Sequence, residues 1–248
     1  MKFHLITLFE DACNAYLSAS IIGRARREKK ISVQYQNPRD FVDNKWGKAK
    51  SLRDRPATKW RRVDERPYGG GPGMVIAAMP IVRAVEKSLK NVGRRTSYMK
   101  KLVIIWFSPS GKQFTNKDAD KLTKYSDVVL VCGRYEGIDE RAKKILKTLA
   151  TGSPARRVRV KEFAVGEAVY TGGEVPALAV VDAVTRRLPG VLGKDASVEE
   201  RRIASSAVYT RPETILYKKK KYKVPAVLRT GHHAKIDKWK NEKRSSPA

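Results

Sequence analysis

The sequence predicts an α/β fold in which helices cover a parallel β-sheet. Two apolar runs, 101–107 and 128–132, are rich in β-branched residues, which is typical of strands buried on both faces of such a sheet. Segments with helical periodicity alternate with the strands along the chain, as in βαβ units. The 248 residues, of which 41% are hydrophobic, suffice for one large domain or for one domain and a smaller one.

The amino-terminal part begins with an alternating pattern that predicts a strand over 3–9. A broken apolar stripe predicts one helix over 11–27, and alternation returns in a second strand over 31–36. Farther along, Met, Val, Ala and Leu side chains lie on one face of an amphipathic helix predicted over 76–89.

The central part continues with a helix predicted over 116–125, which has an asparagine cap and acidic residues in its first turn. Acidic residues at the start and lysines at the end favour a helix over 137–148, because such charges complement the helix dipole. A strand interrupted by glycine is predicted over 163–170. The apolar run 177–188 predicts a buried helix, which Pro189-Gly190 ends.

Three predicted strands end in glycine-containing loops, at 108–111, 133–137 and 166–173. In open α/β sheets, ligands bind beyond the carboxyl ends of the strands. Three such loops at one sheet edge favour a small cofactor that main-chain groups hold. The loop 133–137 taken alone is equally consistent with an ordinary strand-to-helix turn.

The charge of the chain favours a polyanionic partner. It has 53 Lys and Arg against 25 Asp and Glu, a formal net charge of +28, so nucleic acid is the first candidate and an anionic membrane surface the second. No apolar run could span a bilayer and no signal peptide is evident, which predicts a cytoplasmic protein without a membrane partner. Cys13 and Cys132 predict no disulfide framework, and no cluster predicts a metal site.

Two segments before residue 76 have unusual composition. Residues 44–62 carry eight basic residues and one acid around two tryptophans, which predicts either a loop that contacts RNA or a solvated surface insertion. Residues 67–74 contain four glycines and two prolines, which excludes a helix or regular strand. This segment matches neither a phosphate loop nor a dinucleotide fingerprint, so another type of nucleotide-binding α/β domain is not supported.

Five sequence blocks match one protein family in order and spacing over nearly the whole chain. They are 66–74 (RPYGGGPGM), 131–141 (VCGRYEGIDER), 170–176 (YTGGEVP), 189–193 (PGVLG) and 209–212 (YTRP). They resemble the bacterial tRNA (guanine-N1)-methyltransferases, the TrmD family of the SPOUT superfamily. The resemblance implies a parallel sheet tied into a trefoil knot that binds S-adenosyl-L-methionine. It also implies a homodimer with active sites shared between subunits, and methylation of N1 of guanosine 37 in tRNA, next to the anticodon.

The resemblance also implies a division of the chain. A SPOUT methyltransferase domain would span 1–190 and carry the basic insertion at 44–62. An interdomain linker would span 191–203, and a small basic helical domain that binds tRNA would span 204–248.

The family motifs place the contacts with cofactor and substrate. The cofactor-binding residues by matching motif are Phe107, Ser108, Pro109, Gly133, Tyr135, Glu136, Gly137, Val165, Gly166, Glu167, Ala168, Val169, Tyr170, Gly172, Gly173 and Pro176. The implied substrate-binding residues are Asp64, Arg66, Tyr68, Gly69 and Arg211. A dependence on magnesium also follows from the resemblance, with the carboxylate of Glu136 nearby, although the residues themselves predict no metal site.

Two residue positions bear on catalysis. Arg186 matches the family arginine that would stabilise O6 of guanine as N1 loses its proton, although it could instead be a helix-end cation or a phosphate ligand. The family has an aspartate as general base where this chain has Arg201, which cannot accept a proton at neutral pH. Glu200 is the favoured replacement, followed by Glu199 and Asp195. The alternative is a SPOUT-fold RNA-binding protein whose turnover is weakened or lost.

Overall fold

The computed structural model describes most of the chain. The described ranges are 1–42, 61–93, 101–151, 158–192 and 207–244. They fall into two compact units, Met1–Val191 and Leu192–Ala248. The predicted insertion at 44–62, apart from its last two residues, and the predicted linker from residue 193 onward lie outside the described residues.

The first unit is built on a parallel sheet. Its strands are β1 (Lys2–Ile6), β2 (Ser32–Gln36), β3 (Asp64–Glu65), β4 (Val75–Ile76), β5 (Leu102–Gln113), β6 (Asp127–Val131) and β7 (Val158–Ala164). Five of them form one sheet in the order β2-β1-β6-β5-β7, and every pairing in it is parallel. The other two, β3 and β4, pair with each other as a separate antiparallel ribbon.

Helices cover both faces of this sheet. They are α1 (Glu10–Leu17), α2 (Ser20–Arg27), α3 (Ala78–Gly93), α4 (Asn116–Leu122), α5 (Glu140–Thr151) and α6 (Glu174–Thr185). Successive residues of β6 point to opposite faces, so Val128 and Leu130 pack with α1, α2, α4 and α6, whereas Val129 and Val131 pack with α3 and α5. All five residues of β6 are buried. These three layers confirm the predicted α/β class, whereas the trefoil knot stays a prediction.

The predicted single helix over 11–27 is wrong, because the chain forms two helices that meet at a tight corner. Ser20 has a positive φ of 48° there. A Cβ on Gly23 would lie 2.1 Å from the carbonyl oxygen of Ser18, so α2 passes too close to the end of α1 for any other residue. The predicted helices at 76–89, 137–148 and 177–188 are present, with ends shifted by two to four residues.

Three further expectations need correction. The strand predicted over 163–170 is β7, which begins at Val158 and ends at Ala164, because Gly166 takes a positive φ of 75°. The loop at 108–111 does not end its strand, since β5 continues to Gln113 after a register shift. Thr115 caps α4 in a capping box with Asp118, and Asn116 is the first helical residue.

The second unit combines a β-hairpin with a helix. The strands β8 (Thr214–Tyr217) and β9 (Lys220–Lys223) form an antiparallel pair, and α7 (His233–Arg244) follows a short 3-10 helix, Ala226–Arg229. The expectation of a helical unit did not include this hairpin. None of the helices in the described ranges combines the length and the apolar character that crossing a membrane requires.

Candidate functional site

A cavity of about 360 Å³ lies at the carboxyl ends of three strands of the sheet, β5, β6 and β7. Pockets for small molecules usually measure about 300 to 1,000 Å³. All sixteen residues predicted to bind the cofactor line the cavity, and their contact with a cofactor stays a prediction. The remaining lining residues are Gln113, Arg134, Phe163, Ala164 and Thr171. Arg134 and Thr171 lie within the predicted loops, whereas sequence reasoning missed Gln113, Phe163 and Ala164.

The loop after β6 turns sharply at the edge of the cavity. Tyr135 has φ of 59° and Gly137 has φ of 122°, both in the region that favours glycine. The main-chain nitrogen of Gly137 donates to the carbonyl of Arg134 at 3.1 Å, which closes the turn. The side chain of Tyr135 is 52% exposed, so its ring is accessible to a ligand in the cavity.

A pair of glycines brings the segment before α6 against this loop. The main-chain nitrogen of Gly173 donates to the carbonyl of Gly133 at 2.8 Å. A Cβ on Gly173 would lie 2.7 Å from the Cα of Cys132, and a Cβ on Gly172 would lie 2.4 Å from Nε of Arg134. Any larger residue would therefore separate the two segments and change the shape of the cavity wall.

A buried carboxylate connects the same two segments. Glu174, the first residue of α6, is 4% exposed. Its Oε1 accepts from Thr7 Oγ1 at 2.8 Å, and its Oε2 accepts from Arg134 Nε at 2.8 Å. The Arg134 guanidinium lies 4.4 Å from the centroid of the Phe9 ring. We call Thr7, Phe9, Arg134 and Glu174 the anchor network, because it ties the 133–137 loop to β1 and α6.

The opposite wall of the cavity is held by polar contacts of its own. Gln113 Nε2 donates to the carbonyl of Gly166 at 2.9 Å. A Cβ on Gly166 would lie 3.3 Å from the hydroxyl oxygen of Tyr170. The hydroxyl oxygens of Ser108 and Ser110 lie 2.8 Å apart, in the irregular part of β5 between Phe107 and Lys112. The cavity is thus walled by glycine-rich backbone and a few polar side chains.

Two cysteines lie in the core close to this site. Burial raises the pKa of the Cys132 thiol well above its usual value, and it raises the pKa of Cys13 to about 11. Both thiols are therefore protonated near neutral pH. A neutral, buried thiol is a poor nucleophile, so these residues act as small packing groups.

The glycine-rich segment that carries part of the predicted substrate-binding set is attached to the 133–137 loop at its end, Met74. The main-chain nitrogen of Glu136 donates to the carbonyl of Met74 at 3.0 Å, which attaches the glycine-rich segment to that loop. Asp64 is half-buried in β3, and Tyr68 is 99% exposed. Arg66 is exposed and Gly69 has a positive φ of 86°.

The other predicted functional residues lie elsewhere in the chain. Arg211 belongs to the second unit and is exposed. Glu200, Glu199, Asp195 and Arg201 lie outside the described residues.

Arg186 follows the last residue of α6 and is half-buried, with its main-chain nitrogen 3.1 Å from the carbonyl oxygen of Asp182. The helix begins at the cavity with Glu174 and has 12 residues. At a rise of about 1.5 Å per residue, about 18 Å of helix separates its two ends. Arg186 therefore lies at the end of α6 that is far from the cavity.

Comparison with known proteins agrees with this architecture over almost the entire chain. The family described as tRNA (Guanine-1)-methyltransferase TrmD matches residues 1–247. A tRNA (guanine-N(1)-)-methyltransferase of Lachnospira eligens is 37% identical over 98% of this chain and 89% of its own length. Proteins of the same name from Shewanella sediminis and from Buchnera aphidicola subsp. Schizaphis graminum are each 35% identical over 97% of this chain, and over 86% and 79% of their own lengths. The chain belongs to the TrmD family of tRNA (guanine-1)-methyltransferases.

Proposed function

We propose that this protein transfers the methyl group of S-adenosyl-L-methionine to N1 of guanosine 37 in tRNA. The observation that carries the proposal is the cavity at the carboxyl edge of the sheet, in a chain that matches the family over residues 1–247. The relatives from Lachnospira eligens and Shewanella sediminis bear the name tRNA (guanine-N(1)-)-methyltransferase. The net charge of +28 suits a polyanionic substrate such as tRNA.

The residues around the cavity fit S-adenosyl-L-methionine. Glycines at 133, 137, 166, 172 and 173 leave main-chain groups accessible, as recognition of an adenine by the backbone requires. Tyr135 and Glu136 would lie near the ribose and the methionine part. When bound, the cofactor supplies an electrophilic methyl group on a sulfonium. The chain's own contribution is to position this group and to exclude water from it.

The protein must also prepare the guanine, because N1 carries a proton and is a weak nucleophile until that proton leaves. The Arg186 guanidinium would stabilise the negative charge that develops on O6. Glu200 would accept the proton in place of the aspartate that the family has at the position of Arg201.

A homodimer would explain the position of Arg186. Pro176 of α6 lines the cavity and lies ten residues before Arg186, so about 15 Å of helix separates Arg186 from the cavity wall. An Arg186 that acts on the target base would then come from the partner subunit. We infer that the two subunits of a homodimer share each active site and that the methyltransferase domain carries the SPOUT knot. We also infer that the protein acts in the cytoplasm, because its substrate is tRNA. The second unit would contribute to tRNA binding.

We infer that magnesium, if the reaction requires it, binds together with the substrate. In the described ranges, no group of three or more His, Cys, Asp or Glu side chains is arranged to hold a metal ion. Mg²⁺ commonly keeps several waters and binds through one or two carboxylates and substrate groups. Glu136 at the cavity is the carboxylate suited to that role.

A second candidate function is tRNA binding with weak or absent turnover. Arg201 favours it, because an arginine at the position of the general base cannot accept a proton. The two candidates differ in methyl transfer and agree in tRNA binding.

Methyl transfer from labelled S-adenosyl-L-methionine to tRNA transcripts with G or A at position 37 tests the proposal. We expect wild type to label only the G37 transcript. Glu200→Gln and Arg186→Ala should each lose at least about 100-fold in rate, the usual contribution of a general base or of an electrostatic contact. Glu199→Gln and Arg186→Lys are the matched controls.

The outcomes separate the candidates. Binding of tRNA by wild type without any labelling would favour the second function, and Arg201→Asp would then be expected to restore activity. Full activity of Glu200→Gln would move the role of base to Glu199 or Asp195.

A further inference from the structure

The β8–β9 hairpin of the second unit is rich in lysine and exposes large apolar side chains, and neither feature stabilises an isolated hairpin. Its ten residues, 214–223, include five lysines and no acidic residue. Large apolar side chains are also exposed on it, with Ile215 at 56%, Leu216 at 67%, Tyr217 at 59% and Tyr222 at 50%. A two-stranded hairpin in water is marginally stable by itself, and exposed apolar groups beside cations indicate a partner.

The turn of this hairpin places lysines where glycine or asparagine is favoured. Tyr217 pairs with Lys220, so the loop consists of Lys218 and Lys219 alone. Both have positive φ, 46° and 63°, which is the conformation of a type I′ turn. The usual sequence for that turn is Asn-Gly or Asp-Gly, and a lysine adopts positive φ only at a cost. Because two lysines at the tip are unfavourable for this turn, we expect their charges to contribute to binding rather than to the stability of the hairpin.

The cross-strand pairing sorts the side chains by face. Ile215 lies opposite Tyr222, and Tyr217 lies opposite Lys220, so these four residues share one face. The Lys220 ammonium is 5.4 Å from the centroid of the Tyr222 ring, and the Lys218 ammonium is 5.5 Å from that of Tyr217. A nucleotide whose phosphate contacts one of these ammonium groups would thus bring its base or ribose within reach of a tyrosine ring.

We propose that the β8–β9 hairpin is an RNA-binding finger, in which Lys218 and Lys219 bind phosphates of the tRNA backbone and Tyr217 and Tyr222 pack on an unpaired base or ribose. This assignment rests on the proposed function, in which tRNA is the substrate. The charge complementarity of five lysines selects a polyanion, and the tyrosine face selects RNA over a polyanion without bases.

The double variant Lys218→Asn/Lys219→Gly tests the proposal without breaking the hairpin. Asn-Gly is the favoured sequence for a type I′ turn, so the variant should fold at least as well as wild type. Losing two phosphate contacts should reduce the slope of log Kd against log salt concentration by about 1.8, and should weaken tRNA binding in 100 mM salt by up to roughly 60-fold. The matched control, Lys144→Gln/Lys147→Gln, removes two exposed lysines from α5.

The measurement is fluorescence anisotropy of a labelled tRNA transcript at several salt concentrations, with circular dichroism melting to check folding. A weaker affinity and shallower slope in the Asn-Gly variant only would support the finger. Equal affinity in all three proteins, an equal loss in both variants, or no binding by wild type would overturn it. Binding to anionic phosphatidylglycerol vesicles that depends on Lys218 and Lys219, with unchanged tRNA affinity, would also overturn it, in favour of a membrane contact.

Methyl transfer by wild type, assayed in parallel, separates this inference from the proposed function. Binding through the hairpin without transfer would leave the finger in place and remove the enzymatic proposal. Methyl transfer by wild type, together with equal tRNA affinity of wild type and the Asn-Gly variant, would support the enzymatic proposal and overturn the finger.

Discussion

The anchor network makes a prediction that can be worked from the structure. Glu174 is buried, and each carboxylate oxygen accepts one hydrogen bond at 2.8 Å, from Thr7 and from Arg134. Glu174→Gln keeps the size of the side chain but removes the negative charge and one acceptor. Because the hydrogen bond to Arg134 joins two charged groups, we expect a loss of about 2 kcal/mol in the free energy of unfolding. Removing the whole carboxylate with Glu174→Ala should cost about 3 to 5 kcal/mol, because Arg134 is then left without its buried partner.

Thermal unfolding measures the first effect. For a protein of this size, 1 kcal/mol shifts Tm by about 2 to 4 °C, so Glu174→Gln should melt about 4 to 8 °C below wild type. The control is Glu167→Gln, which makes the same chemical change at an exposed residue of the cavity and should change stability by less than about 0.5 kcal/mol.

A double-mutant cycle distinguishes the ion pair from general damage. Arg134→Met removes the cation, and combining it with Glu174→Gln should cost less than the sum of the single variants by about 1 to 3 kcal/mol, as for other residues in direct contact. The cofactor affinity of Glu174→Gln should also fall, since Arg134 belongs to the 133–137 loop. Equal melting temperatures for wild type and Glu174→Gln, or strictly additive effects in the cycle, would refute the network as the anchor of that loop.

Two further predictions concern glycine packing and pH. Gly173→Ala should destabilise the fold by about 1 to 3 kcal/mol and weaken cofactor binding, because its Cβ would lie 2.7 Å from Cys132 Cα. Calorimetric melting measures the stability and calorimetric titration measures the cofactor affinity, and wild-type values in both would contradict the prediction. Burial raises the pKa of Cys13 from 9.0 to about 11, so its thiol favours the folded state below pH 9 and loses that contribution as the pH rises to 11. The loss is on the order of 2 kcal/mol by pH 11, and urea unfolding at pH 8 and 11 should show a smaller decline for Cys13→Ala than for wild type.

The parts of the fold that sequence predicts correctly are those with a local signal. The β6 strand is an uninterrupted apolar run, and every one of its residues is buried. The loop that follows it has glycines at both ends, and Gly137 does adopt a positive φ. The sixteen residues of the predicted cofactor set also form short contiguous blocks and all line one cavity, whereas their contact with a cofactor stays a prediction. Spacing along the chain is enough to locate such features.

The errors arise where a distant residue decides the local conformation. The register shift of β5 between Phe107 and Lys112 depends on its neighbour β7, in which Phe163 pairs with both residues. No pattern within 101–113 contains that information. The β8–β9 hairpin was missed for the opposite reason, since Lys218 and Lys219 contradict the turn preferences on which a sequence-based prediction depends.

The anchor network is a long-range contact that no local pattern in the sequence predicts. Arg134 and Glu174 are 40 positions apart, so no periodicity connects them. Each follows a glycine, but only Gly173 is confined by the other segment: a Cβ on Gly173 would lie 2.7 Å from the Cα of Cys132, whereas a Cβ on Gly133 would meet only the Ile138 side chain at 3.4 Å. Because Glu174 joins Thr7 to Arg134, we expect the shape of the 133–137 loop to depend on Thr7 and Glu174 as well as on the residues that line the cavity, and substitutions at either position should change the cavity.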